Sequence, residues 1–255
     1  MFSLLKMFSL KGMWPRVVSF LLLLLLWKYG AVVVDSRLLP SPEVVFAVLY
    51  DGFRSGEIPH HIGITLGRVA ASFVLAMTIG SAIGIAMGRS RLLDRLFDSW
   101  LVLFLNIPAL VVILLAYVWF GLVESAAILA VAVNKIPNVA VTLREGSRAL
   151  DRDYLEMARS FRLGSLQTFR HVVLPQLSPY FLASARSGLA LIWKIVLVVE
   201  LLGRSNGVGF QLHLYFQLFD VAAILAYTLA FVAVVLVIET MILRPLDRRA
   251  MRWRR

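Results

Sequence analysis

Long apolar stretches separated by short polar segments run through the whole chain. Six are long enough to cross a bilayer, because a helix that rises about 1.5 Å per residue needs roughly 20 residues to span the hydrocarbon layer. These predicted spans cover about residues 15–34, 63–88, 98–120, 123–143, 178–202 and 221–243. Helix-breaking residues mark several ends, with Pro40 and Pro42 after the first span, Gly121 between the third and fourth, and Pro245 after the sixth. The pattern predicts an all-α polytopic membrane protein with six transmembrane helices, folded as one transmembrane domain over residues 1–255.

The composition agrees with this prediction. Hydrophobic residues make up 60% of the chain and charged residues only 16%, whereas a soluble domain carries about 25% charged residues. Lipid must therefore solvate much of the surface. The chain has no cysteine and four scattered histidines, so the sequence offers neither a disulfide nor the ligand spacing of a metal site. No cofactor is expected.

The first apolar stretch follows three basic residues, Lys6, Lys11 and Arg16, as it also does in a cleaved signal peptide. The residues that end this stretch offer no small-x-small cleavage site, so we predict a retained helix. The polar segment after it begins with Ser-Pro-Glu at Ser41, which is typical of a helix start. A short surface helix is expected there.

Basic residues are distributed unevenly between the two sides of the predicted spans. With a cytoplasmic N-terminus, the outside loops hold only Arg37, Arg54 and Arg204, and the inside segments hold most of the chain's 26 basic residues. The positive-inside rule then places both termini in the cytoplasm. The net charge of +11 thus reflects topology, and no nucleic-acid partner is expected. The arginine-rich residues 248–255 are predicted to anchor the chain against anionic membrane lipid.

The segment Arg144–Gln176, between the fourth and fifth spans, is the longest predicted cytoplasmic loop. Asp153 can cap a helix, with Glu156 three residues later as in a capping box. Leu155, Ala158 and Phe161 recur every three residues, with Tyr154 beside them, and predict one apolar face.

A second short helix follows the break at Gly164-Ser165. Pro175 is expected to push Leu174 out of the helical region and to end this helix there. The loop is therefore predicted to be a compact helical protrusion, which we call the knob. It is suited to transmit a movement of a soluble partner to the transmembrane helices.

The residues of this loop resemble a known motif. Residues 156–162 read Glu-Met-Ala-Arg-Ser-Phe-Arg, and after nine residues Val-Val-Leu-Pro follows at 172–175. This resembles the EAA motif of bacterial ABC importer permeases, which reads Glu-Ala-Ala, three residues, Gly, nine residues, Ile-x-Leu-Pro. Met157, Val172 and Arg162 depart from it. Arg162 stands where the motif has the glycine that lets the chain turn, and Gly164 is the alternative source of that turn.

Further short runs, in the same order, look like the nitrate/sulfonate/taurine branch of that family. They are Leu39-Pro40-Ser41-Pro42, Thr65-Leu66-Gly67-Arg68-Val69, Asn106-Ile107-Pro108, Trp119-Phe120-Gly121 and Val199-Glu200-Leu201. The resemblance implies a homodimeric inner-membrane permease, two copies of a cytoplasmic ATPase and an extracytoplasmic solute-binding protein. It also implies a set of residues that contact the ATPase, namely Tyr154, Leu155, Glu156, Met157, Ala158, Arg159, Phe161, Arg162, Gly164 and Pro175.

The chain contains no Gly-x-x-x-x-Gly-Lys-Ser/Thr loop, so it is not expected to bind nucleotide phosphates itself. ATP hydrolysis is predicted to occur on a separate subunit. No catalytic residue is assigned to this chain.

Charged residues inside a span are expected to have a structural or functional role, because inserting a charged side chain near the bilayer centre costs about 2.5–3.5 kcal/mol. Lys194 and Arg186 lie eight residues apart in the fifth span, on roughly one helix face. Both are candidates to line a path that attracts an anion. The alternative is structural, with Lys194 in an interior ion pair or Arg186 extended toward the membrane surface.

Other polar residues lie next to prolines. Asn134 and Lys135 precede Pro137 and are expected to interrupt the fourth span, where they either satisfy the kink or contact the path. Asn106, before Pro108, has the same two interpretations.

Two further features concern the second span. Arg68 is expected either to extend toward the membrane surface or to meet Glu200 at the end of the fifth span. Gly80, Gly84 and Gly88 recur every four residues and predict a surface that another helix approaches closely.

Two other classes of function remain as alternatives. A secondary carrier usually has acidic residues within the membrane for ion coupling, but Glu200 and Glu239 lie toward span ends. A membrane enzyme needs a nucleophile, metal site or acid/base pair, and no such constellation is present. Within the permease interpretation, the solute is predicted to be an anion such as nitrate, a sulfonate or taurine, with an uncharged heterocycle as the alternative.

Overall fold

The computed structural model describes residues 10–243 and Pro245, and the secondary structure in that part of the chain is helical. The helices are α1 (Leu10–Val34), α2 (Pro42–Arg54), α3 (Glu57–Arg89), α4 (Arg91–Asn106), α5 (Ala109–Phe120), α6 (Glu124–Arg148), α7 (Arg152–Ser160), α8 (Ser165–Thr168), α9 (Leu174–Gly203), α10 (Val208–Gln217) and α11 (Val221–Ile238). The π-helical turns Phe169–Val173 and Glu239–Leu243 follow α8 and α11. Lys6 and the predicted lipid anchor at residues 248–255 lie outside the described residues.

The predicted all-α membrane architecture is confirmed. Within the described residues, five helices are long and apolar enough to cross a membrane, and a bent pair formed by α4 and α5 makes a sixth if it counts as one span. The two members of this pair meet at 95°. The third predicted span is therefore wrong as one straight helix.

The bend follows from Pro108. The proline ring disfavours the helical region for the residue before it, and Ile107 is extended at φ −72° and ψ 124°. The side-chain amide of Asn106 donates to the carbonyl of Val102 at 2.7 Å. Asn106 thus satisfies a backbone carbonyl near the end of α4.

Prolines inside other helices do not break them. Pro137 lies within the continuous helix α6, so the expected interruption of the fourth span is wrong. Pro179 lies within α9, where the Ser178 hydroxyl donates to the Pro175 carbonyl at 2.8 Å. A polar neighbour thereby satisfies the carbonyl four residues before the proline.

The expectation that Pro175 ends the second loop helix is also wrong. Leu174 is helical at φ −62° and ψ −42°, and the π-helical turn connects α8 to α9 without a stop. The Leu174 N–H donates to the Phe169 carbonyl five residues earlier. Pro175 lies two residues after this π-helical turn, and such a local adjustment lets a proline remain inside a membrane helix. Ser165–Gly203 forms one helix of 39 residues.

The described chain divides into two compact units, of which the first runs to Pro59 and includes Gln211–Phe231. In this unit Lys28 and Glu43 form an ion pair at 2.5 Å. The hydrogen bond from Lys28 lowers the pKa of Glu43 to about 2. Glu57 accepts a hydrogen bond from the Tyr227 hydroxyl at 3.0 Å.

The second unit comprises His60–Phe210 and continues from Val232. Its centre is α6, whose buried side chains are mostly alanine and valine. The three glycines of α3 pack against α6 as the small-residue pattern predicts. A Cβ at Gly80 would lie 2.6 Å from Val139 Cβ, and one at Gly84 would overlap the Ala140 carbonyl oxygen. The helix that approaches these glycines therefore belongs to the same chain.

Candidate functional site

The knob between α6 and α9 begins at Asp151. The Asp151 carboxylate accepts a hydrogen bond from the Asp153 backbone N–H at 2.9 Å. Asp151 is thus the N-cap of α7, and the prediction of Asp153 with Glu156 as a capping pair is wrong. The Asp151 N–H also donates to Gln176 Oε1 at 2.9 Å, which ties the start of the knob to the first turn of α9.

One face of α7 packs inward. Ala158 is 1% exposed and Leu155 is half-buried, as their spacing predicts. Phe161 does not share this face and is 74% exposed. The helix ends at Ser160, and Phe161 adopts φ −82° and ψ 6° as its C-cap, so helical spacing no longer applies to it.

Arg162 makes the turn between the two knob helices. Its φ is +52°, in the left-handed region that favours glycine. Its N–H donates to the Arg159 carbonyl at 2.9 Å, and the Leu163 N–H donates to the Ala158 carbonyl at 2.9 Å. These two bonds form a Schellman motif. The motif glycine is thus replaced by an arginine that keeps the glycine conformation.

Gly164 does not supply the turn. It has φ −62° and ψ 157°, an ordinary extended conformation, and it caps α8. The alternative in which Gly164 replaces the motif glycine is wrong.

Four apolar side chains of the knob are at least 46% exposed, and we call this set the exposed tip. Its members are Tyr154 at 53% exposure, Met157 at 46%, Phe161 at 74% and Leu166 at 79%. Glu156 and Arg159 are exposed beside them. Exposed apolar groups of this kind are typical of surfaces that bind another protein or a membrane.

The base of the knob is packed. Val172, Val173 and Leu177 are 6%, 0% and 0% exposed, whereas Pro175 is exposed. The Val-Val-Leu-Pro segment therefore joins the knob to α9 through a buried contact. The knob cannot move far without α9.

The candidate path residues are not all brought together. Lys194 and Arg186 lie eight residues apart on α9, and both are exposed. The Arg186 guanidinium lies 3.9 Å from the Glu239 carboxylate. Asn134 is half-buried on α6 and Asn106 is exposed at the end of α4.

Sequence reasoning missed the environment of Lys135. This side chain is 3% exposed, and a Cβ at Gly188 would lie 2.9 Å from its Cε. Gly188 on α9 makes room for a lysine on α6. In the sequence, the only sign of this contact was the glycine at position 188 in the fifth span. A glycine alone does not show which residue packs against it.

An ionic cluster joins α3, α6 and the end of α9. Arg68 and Glu200 are its buried members, whereas Arg204 is half-buried and Glu124 is exposed. Arg68 Nη1 lies 2.7 Å from Glu200 Oε1, and Arg68 Nε lies 2.6 Å from Glu124 Oε1. Arg204 reaches Glu124 at 2.7 Å. Of the two expectations for Arg68, the contact with Glu200 is confirmed.

A side-chain hydroxyl and a backbone N–H also donate to Glu200. The Thr65 hydroxyl donates to Glu200 Oε2 at 3.0 Å, and the Gly209 N–H donates to the same oxygen at 2.8 Å. Gly207 has φ +103°, and a Cβ there would overlap the Glu200 carboxylate. The turn before α10 is thus shaped around this carboxylate.

Comparisons with known proteins agree with the architecture. Residues 62–250 match the family described as "Binding-protein-dependent transport system inner membrane component". A putative aliphatic sulfonates transport permease of Bacillus subtilis is 31% identical over 88% of this chain and 81% of its own length. The corresponding Escherichia coli protein is 32% identical over 69% of this chain and 67% of its own length.

More distant relatives extend the comparison. The taurine transport system permease protein of Escherichia coli is 27% identical over 96% of this chain and 94% of its own length. A solved structure, titled "Crystal structure of an amino acid ABC transporter with histidines", is similar with a TM-score of 0.60. It is 21% identical, and the match covers 74% of this chain and 92% of that chain. At this identity the likeness concerns the fold.

Proposed function

Since the chain belongs to the family of inner membrane components of binding-protein-dependent transport systems, we propose that it is the permease subunit of an ATP-driven importer for a small anionic solute. The observation that carries the proposal is the exposed tip on a packed base. Four apolar side chains face outward from the segment that resembles the EAA motif. They offer a contact surface to a soluble ATPase subunit.

The coupling residues follow from this geometry. Tyr154 and Met157 lie three residues apart on one side of α7, and Phe161 is exposed directly after the helix ends. Burial of a large apolar side chain in a partner contributes about 1.5–3 kcal/mol, so the tip can account for most of the contact energy. Glu156 and Arg159 would fix the orientation through charge.

The assembly consists of two permease copies, two ATPase subunits and an extracytoplasmic binding protein. Both termini and the knob face the cytoplasm, as the distribution of basic residues favours. Closure of the ATPase pair would move the knob, and the buried contact at Val172 and Val173 would pass this movement to α9.

The solute is proposed to be an oxyanion of the nitrate, sulfonate or taurine type. Relatives named as aliphatic sulfonate and taurine permeases support this class. Lys194 on α9 supports it independently, because an exposed cation within a span needs water or a counter-charge. Arg186 lies on roughly the same face, with Glu239 3.9 Å away. An uncharged heterocycle remains the second candidate for the same path.

Site-specific crosslinking tests the coupling surface. The natural chain has no cysteine, so a single Ser160→Cys variant carries one thiol at the end of α7. We expect it to crosslink to the ATPase subunit in the purified, active transporter. Ser205→Cys, exposed at the opposite end of α9, is the matched control and should give no such product. An active transporter without any crosslink from residue 160 would contradict the proposal.

A further inference from the structure

An apolar groove and a basic cleft lie side by side in the second unit. The groove has a volume of about 430 Å³ and is lined by apolar side chains, among them Ile83, Phe97, Trp100 and Phe104. The cleft has a volume of about 610 Å³. Met87 contributes to the walls of both.

The cleft is rich in arginine. Its basic members are Arg89, Arg91, Arg148, Arg152 and Arg159, and its acidic member is Asp94. Asp94 already pairs with Arg148 and with Arg144, the latter at 3.4 Å. In the part of the chain that the structure describes, Arg89 and Arg91 have no ion-pair partner, and both are exposed. The cleft therefore carries an uncompensated positive charge.

This pair of cavities lies at a membrane boundary. The helix α3 is long and apolar enough to span the bilayer and ends at Arg89, so the groove beside Ile83 is at membrane depth and the cleft is beyond it. Trp100 packs edge-on against Phe97, with ring centroids 5.8 Å apart. Tryptophan is enriched at this depth in membrane proteins.

We infer that the groove and the cleft together bind one anionic phospholipid. The phosphate of the lipid would lie beside Arg89 and Arg91 of the cleft, and one acyl chain would fill the groove. Basic pockets between membrane helices are known to bind acidic lipid head groups. A second copy of this chain would bring the same positive charge to the cleft, and a soluble ATPase could not fill a groove at membrane depth.

The consequence concerns the knob, because Arg152 of α7 also lines the cleft. A phospholipid in the cleft contacts the base of the coupling segment and braces it against α3. This inference does not depend on the identity of the solute.

Native mass spectrometry of the purified protein tests the inference with two probes, dioleoyl phosphatidylglycerol and dioleoyl phosphatidylcholine. We expect one phosphatidylglycerol per chain to be retained and phosphatidylcholine to be lost. A double Arg89→Gln, Arg91→Gln variant should bind phosphatidylglycerol more weakly by about fivefold for each arginine removed. Arg95→Gln is the control, because Arg95 is exposed on α4 but does not line the cleft.

The groove is tested separately. Ile83→Trp should reduce retention by filling the groove, whereas Val74→Trp, at a 62% exposed position of the same helix, should not. Glycerol phosphate should not displace the lipid, because it lacks the acyl chain that fills the groove. Displacement would show that the phosphate alone is bound and that the groove holds no acyl chain, which would overturn the inference. Equal retention of the two lipids, or an unchanged affinity in the double variant, would overturn the inference. A Phe97→Cys variant that crosslinks to the partner copy without retained lipid would assign the groove to the dimer interface and overturn it as well.

Discussion

The guanidinium of Arg68 lies 2.7 Å from the carboxylate of Glu200, and these side chains are 3% and 0% exposed. They come from α3 and α9, which are separated by more than 130 residues along the chain. A buried ion pair of this kind contributes little net stability compared with apolar residues of the same shape. Its loss is nevertheless costly, because the remaining charge has no water around it.

The first prediction follows from this pair. Glu200→Ala should lower the free energy of unfolding by about 3–5 kcal/mol, because it leaves Arg68 buried with only half of its counter-charge. Denaturant titration of the detergent-solubilised protein measures the change. Glu145→Ala removes an exposed carboxylate that also pairs with arginines and should cost at most about 1 kcal/mol. Equal losses in both variants would show that burial does not decide the effect.

The second prediction concerns the left-handed turn. Arg162→Gly should stabilise the knob by about 1 kcal/mol, because it removes the steric penalty of a side chain at φ +52°. Amide hydrogen exchange at residues 158–163 should slow accordingly. Gly164→Ala should bring no such gain, because φ at Gly164 is −62°. Faster exchange in Arg162→Gly would mean that the arginine side chain holds the turn by a contact instead.

The third prediction tests the contact between α3 and α6. Gly84→Ala should destabilise the protein by about 1–3 kcal/mol, because the new methyl group would overlap the Ala140 carbonyl. Gly67→Ala is the matched control on the same helix, where a Cβ meets nothing within 4 Å. The midpoint of thermal unfolding measures both. A tolerated Gly84→Ala would show that the two helices can separate without loss.

The fourth prediction concerns the exposed tip. Phe161→Ser should leave the free energy of unfolding unchanged, because the ring is 74% exposed. It should weaken association with the ATPase subunit by about 10- to 100-fold, since about 1.5–3 kcal/mol of burial is lost. Phe120→Ser, at a 55% exposed position of α5, should not affect association. Co-purification of the two subunits at graded concentrations distinguishes these outcomes.

The fifth prediction concerns the path. Lys194→Gln should raise the solute concentration needed for half-maximal uptake of an anion about tenfold, because a charge that attracts it is lost. Lys28→Gln, which removes a lysine paired with Glu43, should leave uptake unchanged. Uptake of the anion in proteoliposomes measures the effect. If the concentration for half-maximal uptake is unchanged in Lys194→Gln, the result would favour an uncharged solute.

The number of apolar segments could be predicted from the sequence because length and hydropathy are local properties of a span. The effect of the prolines could not. Pro108 stands at a sharp bend, whereas Pro137 and Pro179 stand in continuous helices. The outcome depends on whether neighbouring groups replace the lost hydrogen bonds, and that is decided by packing.

The candidate site shows the same division. The spacing of Leu155 and Ala158 correctly predicted an inward face, because both residues lie within one regular helix. Phe161 was misplaced because the helix ends one residue before it. The turn at Arg162 was not predicted, since an arginine in the left-handed region depends on the two backbone hydrogen bonds that close the motif. Lys135 and Gly188 were not linked, because their contact depends on how α6 and α9 pack.

The unbroken helix from Ser165 to Gly203 has a mechanical consequence. At about 1.5 Å per residue its 39 residues form a lever about 58 Å long. Its first turn carries Leu166 of the exposed tip, and its last turn but one carries Glu200, which pairs with the buried Arg68. A tilt imposed on this helix near Leu166 must reappear near Glu200 unless the π-helical turn Phe169–Val173 absorbs it as twist. A movement that starts at the knob would therefore change the contact between Glu200 and Arg68 at the far end of the helix.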